Sequence, residues 1–380
     1  MHTIRSDRRE QRLFLAHNLL TGAGAVLAGV FGFAMQAFIS HRLRPAEYGA
    51  AFSIITLVIL LTLPASAFSR LVAWRTSHEL ATPYGNQRSS DALLQSANRR
   101  LFLAGVALAV ILAAASPLIG AFIHVPSLYV LCAAPAVPFQ LATPMLLGAL
   151  QGEQRFHSWS GLLAGFAAAK FAAAGGLAVV MGARGVLIGI TLASAATYLA
   201  ARWLIRRRLR PSTADPLWRG SLAQLGLMGS ASLAIAFLMS SDIVLVKHYF
   251  SAQTAGAFVA VAAISRAIYW GMGGITGALF PKVAARHARG EPTWKLIGGS
   301  LGLAALGGTA SLAVFSLAGH WILLAFAGRQ YVSGSGYLGW YALGMGLLGA
   351  AAVLINAQQS LGRMSLLGVL LPGALLKPVL

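Results

Sequence analysis

Residues Leu101–Ile123 read LFLAGVALAVILAAASPLIGAFI, a run without one acidic or basic side chain. A helix rises about 1.5 Å per residue, so a run of this length crosses the roughly 30 Å hydrocarbon core of a bilayer. Similar runs recur along the chain, at Leu19–Ser40, Tyr48–Phe68, Leu128–Leu150, Gly161–Met181, Val186–Leu204, Leu222–Ser240, Ala255–Phe280, Leu296–Leu317 and Tyr337–Ala357. An eleventh begins at Leu366 and runs into Leu380. All are read as helices, because a helix satisfies its own backbone polar groups in lipid. The first run is too long for the apolar region of a secretory signal peptide and is counted as a span.

The composition agrees. Of 380 residues, 57% are hydrophobic and 10% charged, with a mean hydropathy of +0.72. A soluble domain carries about 25% charged residues and could not bury this much apolar surface. A soluble enzyme and a disordered chain are therefore excluded, leaving a polytopic all-α membrane protein.

The formal charge of +20, from 29 Lys and Arg against 9 Asp and Glu, would suggest nucleic acid in a soluble protein. Here the basic residues sort by side of the membrane, and no nucleic-acid partner is expected. With the N-terminus inside, 21 of them fall in inner segments, among them Arg70, Arg155 and Arg202–Arg219, and 5 in outer ones: Arg42, Arg44, Arg184, Lys247 and Arg329. That bias sets the N-terminus in the cytoplasm, and one missed span would scramble it. The remaining three, Lys170, Arg266 and Lys377, fall inside spans. The single cysteine, Cys132, excludes an internal disulfide and a cysteine metal cluster, and no metal or cofactor is expected.

A weak internal repeat is present. His41-Arg-Leu-Arg-Pro-Ala-Glu-Tyr-Gly49 aligns with His248-Tyr-Phe-Ser-Ala-Gln-Thr-Ala-Gly256 at an offset of 207. Gln151-Gly-Glu-Gln-Arg155 follows the fourth span as Gln359-Ser-Leu-Gly-Arg363 follows the tenth, at an offset of 208, and Lys170 maps by 207 onto Lys377. The offset covers an even number of spans, so the halves share one orientation, as in transporters built from parallel repeats. The expected organisation is a lobe over 1–205, a basic cytoplasmic linker over 206–220 and a second lobe over 221–380. On this reading the second half stops inside the helix matching the fifth span, so the chain looks truncated.

HRLRPAEYGAAFSI at 41–54, LLGALQGEQRF at 146–156 and SSDIVLVKHYFSAQTAGAFVAVAAISRA at 240–267 resemble the oligosaccharide and polysaccharide flippase family. That family is part of the MOP superfamily, with MATE drug exporters and lipid II flippases as relatives. The resemblance implies two six-helix lobes around a central cavity. It also implies transport of a lipid-linked saccharide from the inner to the outer leaflet, with membrane lipids and polysaccharide assembly proteins or a polymerase as partners.

A charge at mid-bilayer is costly and usually faces a cavity, pairs or binds something. Lys170, about ten residues into the fifth span, is the first candidate for the diphosphate headgroup of a polyprenyl carrier; capping a buried carbonyl or snorkelling is the structural alternative. Arg266 is the second, since a guanidinium matches phosphate oxygens in a two-pronged fashion; its alternative is a pair with Asp242. Lys377 is third, as the repeat partner of Lys170. Arg70 would sit at the cavity mouth or serve as a topology anchor. Asp242, at the outer end of the seventh span, could take a coupling proton or Na⁺, or pair with Lys247. Three buried bases and one acid suit an anionic passenger better than a cationic drug.

Pro135, Pro138 and Pro144 should kink the fourth span. The glycines of spans one, nine and ten should let helices pack closely. Trp159, Trp203, Trp218, Trp294 and Trp321 form an interfacial belt. The candidate loops contain no Gly-x-Ser-x-Gly, phosphate-binding loop or His-Glu-x-x-His motif, so no catalytic residue is assigned. The rivals are a MATE-like exporter and, outside transport, a membrane saccharide polymerase or a scaffold.

Overall fold

The structure, a computed structural model, describes residues 23–81, 87–209, 222–272, 279, 283, 286, 290–361 and 365–376. They contain helices and turns, with no strand among them. Chain order begins with α1 (Ala23–Arg42), α2 (Pro45–Thr62), a 3₁₀ turn at Leu63–Ala65, α3 (Ser66–Ala81) and α4 (Gln87–Ala114). It continues through α5 (Ser116–Phe122), α6 (Ser127–Ala133), α7 (Ala136–Gly152) and α8 (Phe156–Lys170). A π-helical segment, Phe171–Gly175, leads into α9 (Gly176–Leu204). Then come α10 (Leu222–Tyr249), α11 (Ala252–Gly271), α12 (Trp294–Ala327), a 3₁₀ turn at Arg329–Gly334, α13 (Ser335–Ser360) and α14 (Leu367–Leu376).

Nine helical runs among the described residues are long and apolar enough to cross a membrane, and the chain is a multi-pass membrane protein. Nine against the eleven expected comes down to two places. The run Phe156–Leu204 counts once, yet Gly182 inside it has φ 59° and ψ −138°, a conformation that reverses the chain and suits only glycine. Gly189 then lies directly on the Ala174 backbone, where a Cβ would overlap it, so α9 folds back on the segment before it. The eleventh expected span shows the ten residues of α14, and 377–380 lie outside the described residues. The basic linker over 206–220 is described only as far as residue 209.

Local chemistry sets the breaks. Pro45 opens α2 at a first-turn position, where its missing N–H costs nothing. Pro135 stands at the junction that splits the fourth span into α6 and α7, and Pro144 lies inside α7, as expected of kinking prolines. Ser251 caps α11 by accepting from the Thr254 N–H at 3.2 Å. Side chains such as Val180, 82% exposed, and Leu317, 87% exposed, show that the outer surface of the helices is apolar, as lipid requires.

The chain forms two compact units by contact. The first comprises the chain up to Ile39, Leu61–Gly120 and Pro126–Gly229; the second comprises Ser40–Leu60, Ala121–Val125 and Ser230–Leu380. In the first unit Val72, Leu94, Met145, Leu146, Leu150 and Tyr198 form a buried core. Gly148 abuts the Ser69 backbone there, and Gly105 abuts Pro138, so small residues bring α7 against α3 and α4.

In the second unit α12 and α13 meet at Gly308 and Gly346, where a Cβ on Gly346 would stand 2.8 Å from the Gly308 Cα. Residues 121–125 join this unit through His248, whose Nδ1–H donates to the Phe122 carbonyl at 2.5 Å while the two rings stack at 4.1 Å. The packing role expected of the glycines holds for some: Gly24 touches Ser160, while a Cβ on Gly29, Gly32, Gly298, Gly302 or Gly344 would meet no described residue within 4 Å.

Candidate functional site

Lys170 ends α8 and immediately precedes the π-helical segment. A π turn carries an extra residue, and such turns are frequent at functional sites. The Lys170 Nζ stands 4.5 Å from the centroid of the Phe166 ring, close enough for cation–π attraction. Phe171, the next residue, packs against Phe38 and Phe31 of α1, with ring centroids at 6.0 and 6.4 Å. The side chain is half-buried among apolar neighbours and makes no ion pair with any described residue. A desolvated ammonium with only a ring for company keeps most of its capacity to attract an anion.

Arg266 has the opposite surroundings. It lies within α11, and its Nη2 donates to the Asp242 Oδ1 at 3.1 Å and to the Met239 carbonyl at 2.5 Å. Tyr341 of α13 donates its hydroxyl to the other oxygen of Asp242. The Ile243 N–H adds a bond to Asp242 Oδ1 at 2.9 Å. Phe258 stands edge-on to Tyr341 at 5.3 Å and stacks on Tyr337 at 6.1 Å, fixing the phenol that holds the carboxylate. The Asp242 pair weighed as the structural alternative for Arg266 is therefore present.

Two placements made from the sequence change. The seventh span was expected to end at Ser240, which put Asp242 at its outer end; the apolar helical run is Gly229–Tyr249, so Asp242 lies within it. Arg266 neutralises the carboxylate, which removes the reason for the helix to leave the membrane at that point. Lys247, expected in an outer loop, belongs to the last turns of α10 and is 3% exposed. It forms no pair with Asp242. Arg70 is exposed on α3. Lys377 lies outside the described residues.

Sequence reasoning passed over a charge cluster in the first unit. Arg208, just past α9, donates to Asp91 of α4 at 2.5 Å, to Glu153 after α7 at 3.1 Å and to Thr76 of α3 at 3.4 Å. Arg155 shares Glu153 at 3.3 Å and reaches the Leu204 carbonyl at 3.1 Å. Both arginines had been read only as topology anchors. The available signal was the presence of acids, scarce in this chain, at Asp91 and Glu153 beside inner span ends.

The repeat motifs also meet. In the second unit Gly49 of α2 lies on Gly256 of α11, where a Cβ on Gly49 would come within 3.0 Å of the Gly256 Cα and N. A Cβ on Gly256 would overlap the Pro45 backbone. Tyr48 and Tyr331 pack edge to face at 5.5 Å, and Tyr331 donates to the Leu43 carbonyl at 3.0 Å. Gln330 donates to the Leu43 carbonyl at 3.1 Å, and the Ser40 hydroxyl to the Phe326 carbonyl at 3.2 Å. The two glycines aligned by the sequence repeat thus form one backbone crossing.

No family model matches the chain, and no curated protein does. Solved structures do. A MATE transporter in complex with MaD5 aligns with a TM-score of 0.62 at 14% identity, over 92% of this chain and 83% of that one. A MOP superfamily transporter from Pyrococcus furiosus aligns with a TM-score of 0.59 at 13% identity, over 92% of this chain and 95% of its own. The eukaryotic MATE transporter AtDTX14 gives 0.59 at 13%, over 90% and 85%. At these identities the likeness establishes the fold alone: the chain shares the fold of these solved transporters.

Proposed function

We propose that the protein is a flippase of the cytoplasmic membrane, with its N-terminus inside. It carries a polyprenyl-diphosphate-linked oligosaccharide outward for surface polysaccharide assembly. The observation that carries this reading is Lys170, a cation in a membrane-spanning run with no acid beside it among the described residues. A half-buried ammonium with no counter-ion among the described residues attracts an anion and repels a cationic drug. Asp242, the acid that a cation exporter would need, is already held by Arg266 and Tyr341. In the structurally similar Pyrococcus furiosus transporter, a reverse polarity of the binding pocket suggests a different function. Lys377 and Arg70 are further candidates for headgroup contact in this proposal, and saccharide assembly proteins are its partners.

The MATE-like exporter shares the same fold and is the competing reading. The test is vesicle reconstitution with a fluorescent polyprenyl-diphosphate saccharide and, in parallel, ethidium. Lipid translocation that falls in Lys170→Gln supports the flippase. Ethidium transport with no lipid movement rejects it in favour of the exporter.

A further inference from the structure

A guanidinium and a carboxylate have matching forks, and their strongest pairing uses two parallel hydrogen bonds. Arg266 and Asp242 do not pair that way. The arginine engages only Nη2, and divides it between Asp242 Oδ1 and the Met239 carbonyl. Its Nε is buried without a partner, and Nη1 bonds to no described residue. The second carboxylate oxygen, which would complete the fork, is occupied by the Tyr341 hydroxyl. The aspartate is thus tied to α13 as firmly as to the arginine.

The pair is mostly buried but not sealed off, with side-chain exposures of 14% for Arg266 and 12% for Asp242. Among the described residues, Tyr48 of α2 lies within electrostatic range of the guanidinium, and Lys247 lies further along α10. Neither competes with Asp242 for Arg266, since one is a phenol and the other a base. An arginine with unmatched donors, facing a carboxylate that Tyr341 and the Ile243 N–H already hold, makes a poor structural staple and a good exchange site.

We propose that Asp242 is a place-holder for the anionic group of the cargo. In the empty protein it neutralises Arg266 through one hydrogen bond. An arriving phosphoryl oxygen displaces it, and the Tyr341 hydroxyl and the Ile243 N–H retain the displaced carboxylate. When the carboxylate returns, it competes the phosphoryl group away, so Arg266 binds the anion without trapping it. Lys170 has no such competitor, which makes Arg266 the exchangeable cation of the two. This inference rests on the anionic-lipid reading above.

The experiment is titration of the purified, full-length protein in detergent with farnesyl diphosphate. Asp242→Asn removes the competing charge and keeps the side-chain shape, so affinity should rise by about fivefold or more, the lower end of coupling between groups that share one partner. Adding Arg266→Gln should cancel the gain. Tyr341→Phe frees the carboxylate to close the two-pronged pair, so affinity should fall. That variant leaves both charges in place and decides the matter if Asp242→Asn melts early. Equal or weaker binding by a well-folded Asp242→Asn, or unchanged binding by Tyr341→Phe, overturns the place-holder. Should the unaltered protein ignore farnesyl diphosphate, the anionic-lipid reading itself falls. Binding that weakens in Lys170→Gln but does not tighten in Asp242→Asn removes the place-holder alone.

Discussion

Lys170 in the first unit and Arg266 in the second are both cations inside membrane-spanning helices, yet the protein treats them differently. Lys170 is left with the face of Phe166 and an apolar surrounding. Arg266 is given a carboxylate, a carbonyl and, through the carboxylate, a tyrosine. The chemistry of the two side chains explains part of this. An ammonium is a compact charge on a flexible stem and adapts to a single incoming oxygen. A guanidinium carries five donors, several of which must be satisfied wherever it is buried. A lone buried charge is costly to keep and is retained for what it binds, whereas a paired one can also be retained for packing. Under the proposed function, the difference favours Lys170 over Arg266 for the binding role.

The comparison breaks first on stability. Arg266→Met leaves Asp242 desolvated with only Tyr341 and the Ile243 N–H to hold it, and losing one member of a buried pair costs about 3–5 kcal/mol. Lys170→Met removes a desolvated charge without orphaning a partner and should be neutral or stabilising. Thermal unfolding of the two purified variants checks this. Equal losses would show that Lys170 has a structural partner after all.

A second test concerns the scaffold that carries Arg266. The α2–α11 crossing at Gly49 and Gly256 has no room for a Cβ. Gly256→Ala should lose about 1–3 kcal/mol, the usual cost of overpacking a tight contact. Gly29→Ala, where nothing lies within 4 Å, should change little. A matched fall in both would mean that the crossing is not the constraint it looks to be.

The third is functional. With membrane levels matched, Lys170→Gln should slow saccharide export about tenfold or more, equivalent to about 1.4 kcal/mol. Lys170→Arg, which keeps the charge, should restore part of the rate. Rates that ignore the charge at 170 would erase the functional half of the contrast.

How far these regions could be read beforehand follows from the range of each interaction. The spans were legible because lipid imposes length and apolarity on every residue of a run, so Leu101–Ile123 announces itself. The Gly182 reversal also showed, in the Gly182-Ala-Arg-Gly185 break between two apolar runs. Lys170 was legible for the same reason in negative, as one charge within such a run. The Asp242–Arg266 pair could be weighed because only 24 residues separate two exceptional charges. Its consequence for the helix could not: Ser240-Ser241-Asp242 looks like the polar exit of a span, and only pairing across helices keeps it inside. The Arg208 cluster joins residues 117 and 55 positions apart in segments crowded with arginines. Nothing local distinguishes the arginine that folds inward from those that face water.

That cluster supplies the mildest test and a control for the others. Arg208 is 9% exposed and bonds to three helices or their ends, so Arg208→Ala should destabilise the first unit measurably by leaving Asp91 and Glu153 facing each other's charge. Arg155, with its side chain 41% exposed, shares the same Glu153 from the rim. Solvent screens that pair, and Arg155→Ala should cost less than about 1 kcal/mol. Neither change touches the surroundings of Lys170, so both variants, once in the membrane, should export at rates close to the unaltered protein. A large transport defect in Arg155→Ala, with stability intact, would move the important cation of the first unit from the apolar run to its polar end and reverse the comparison.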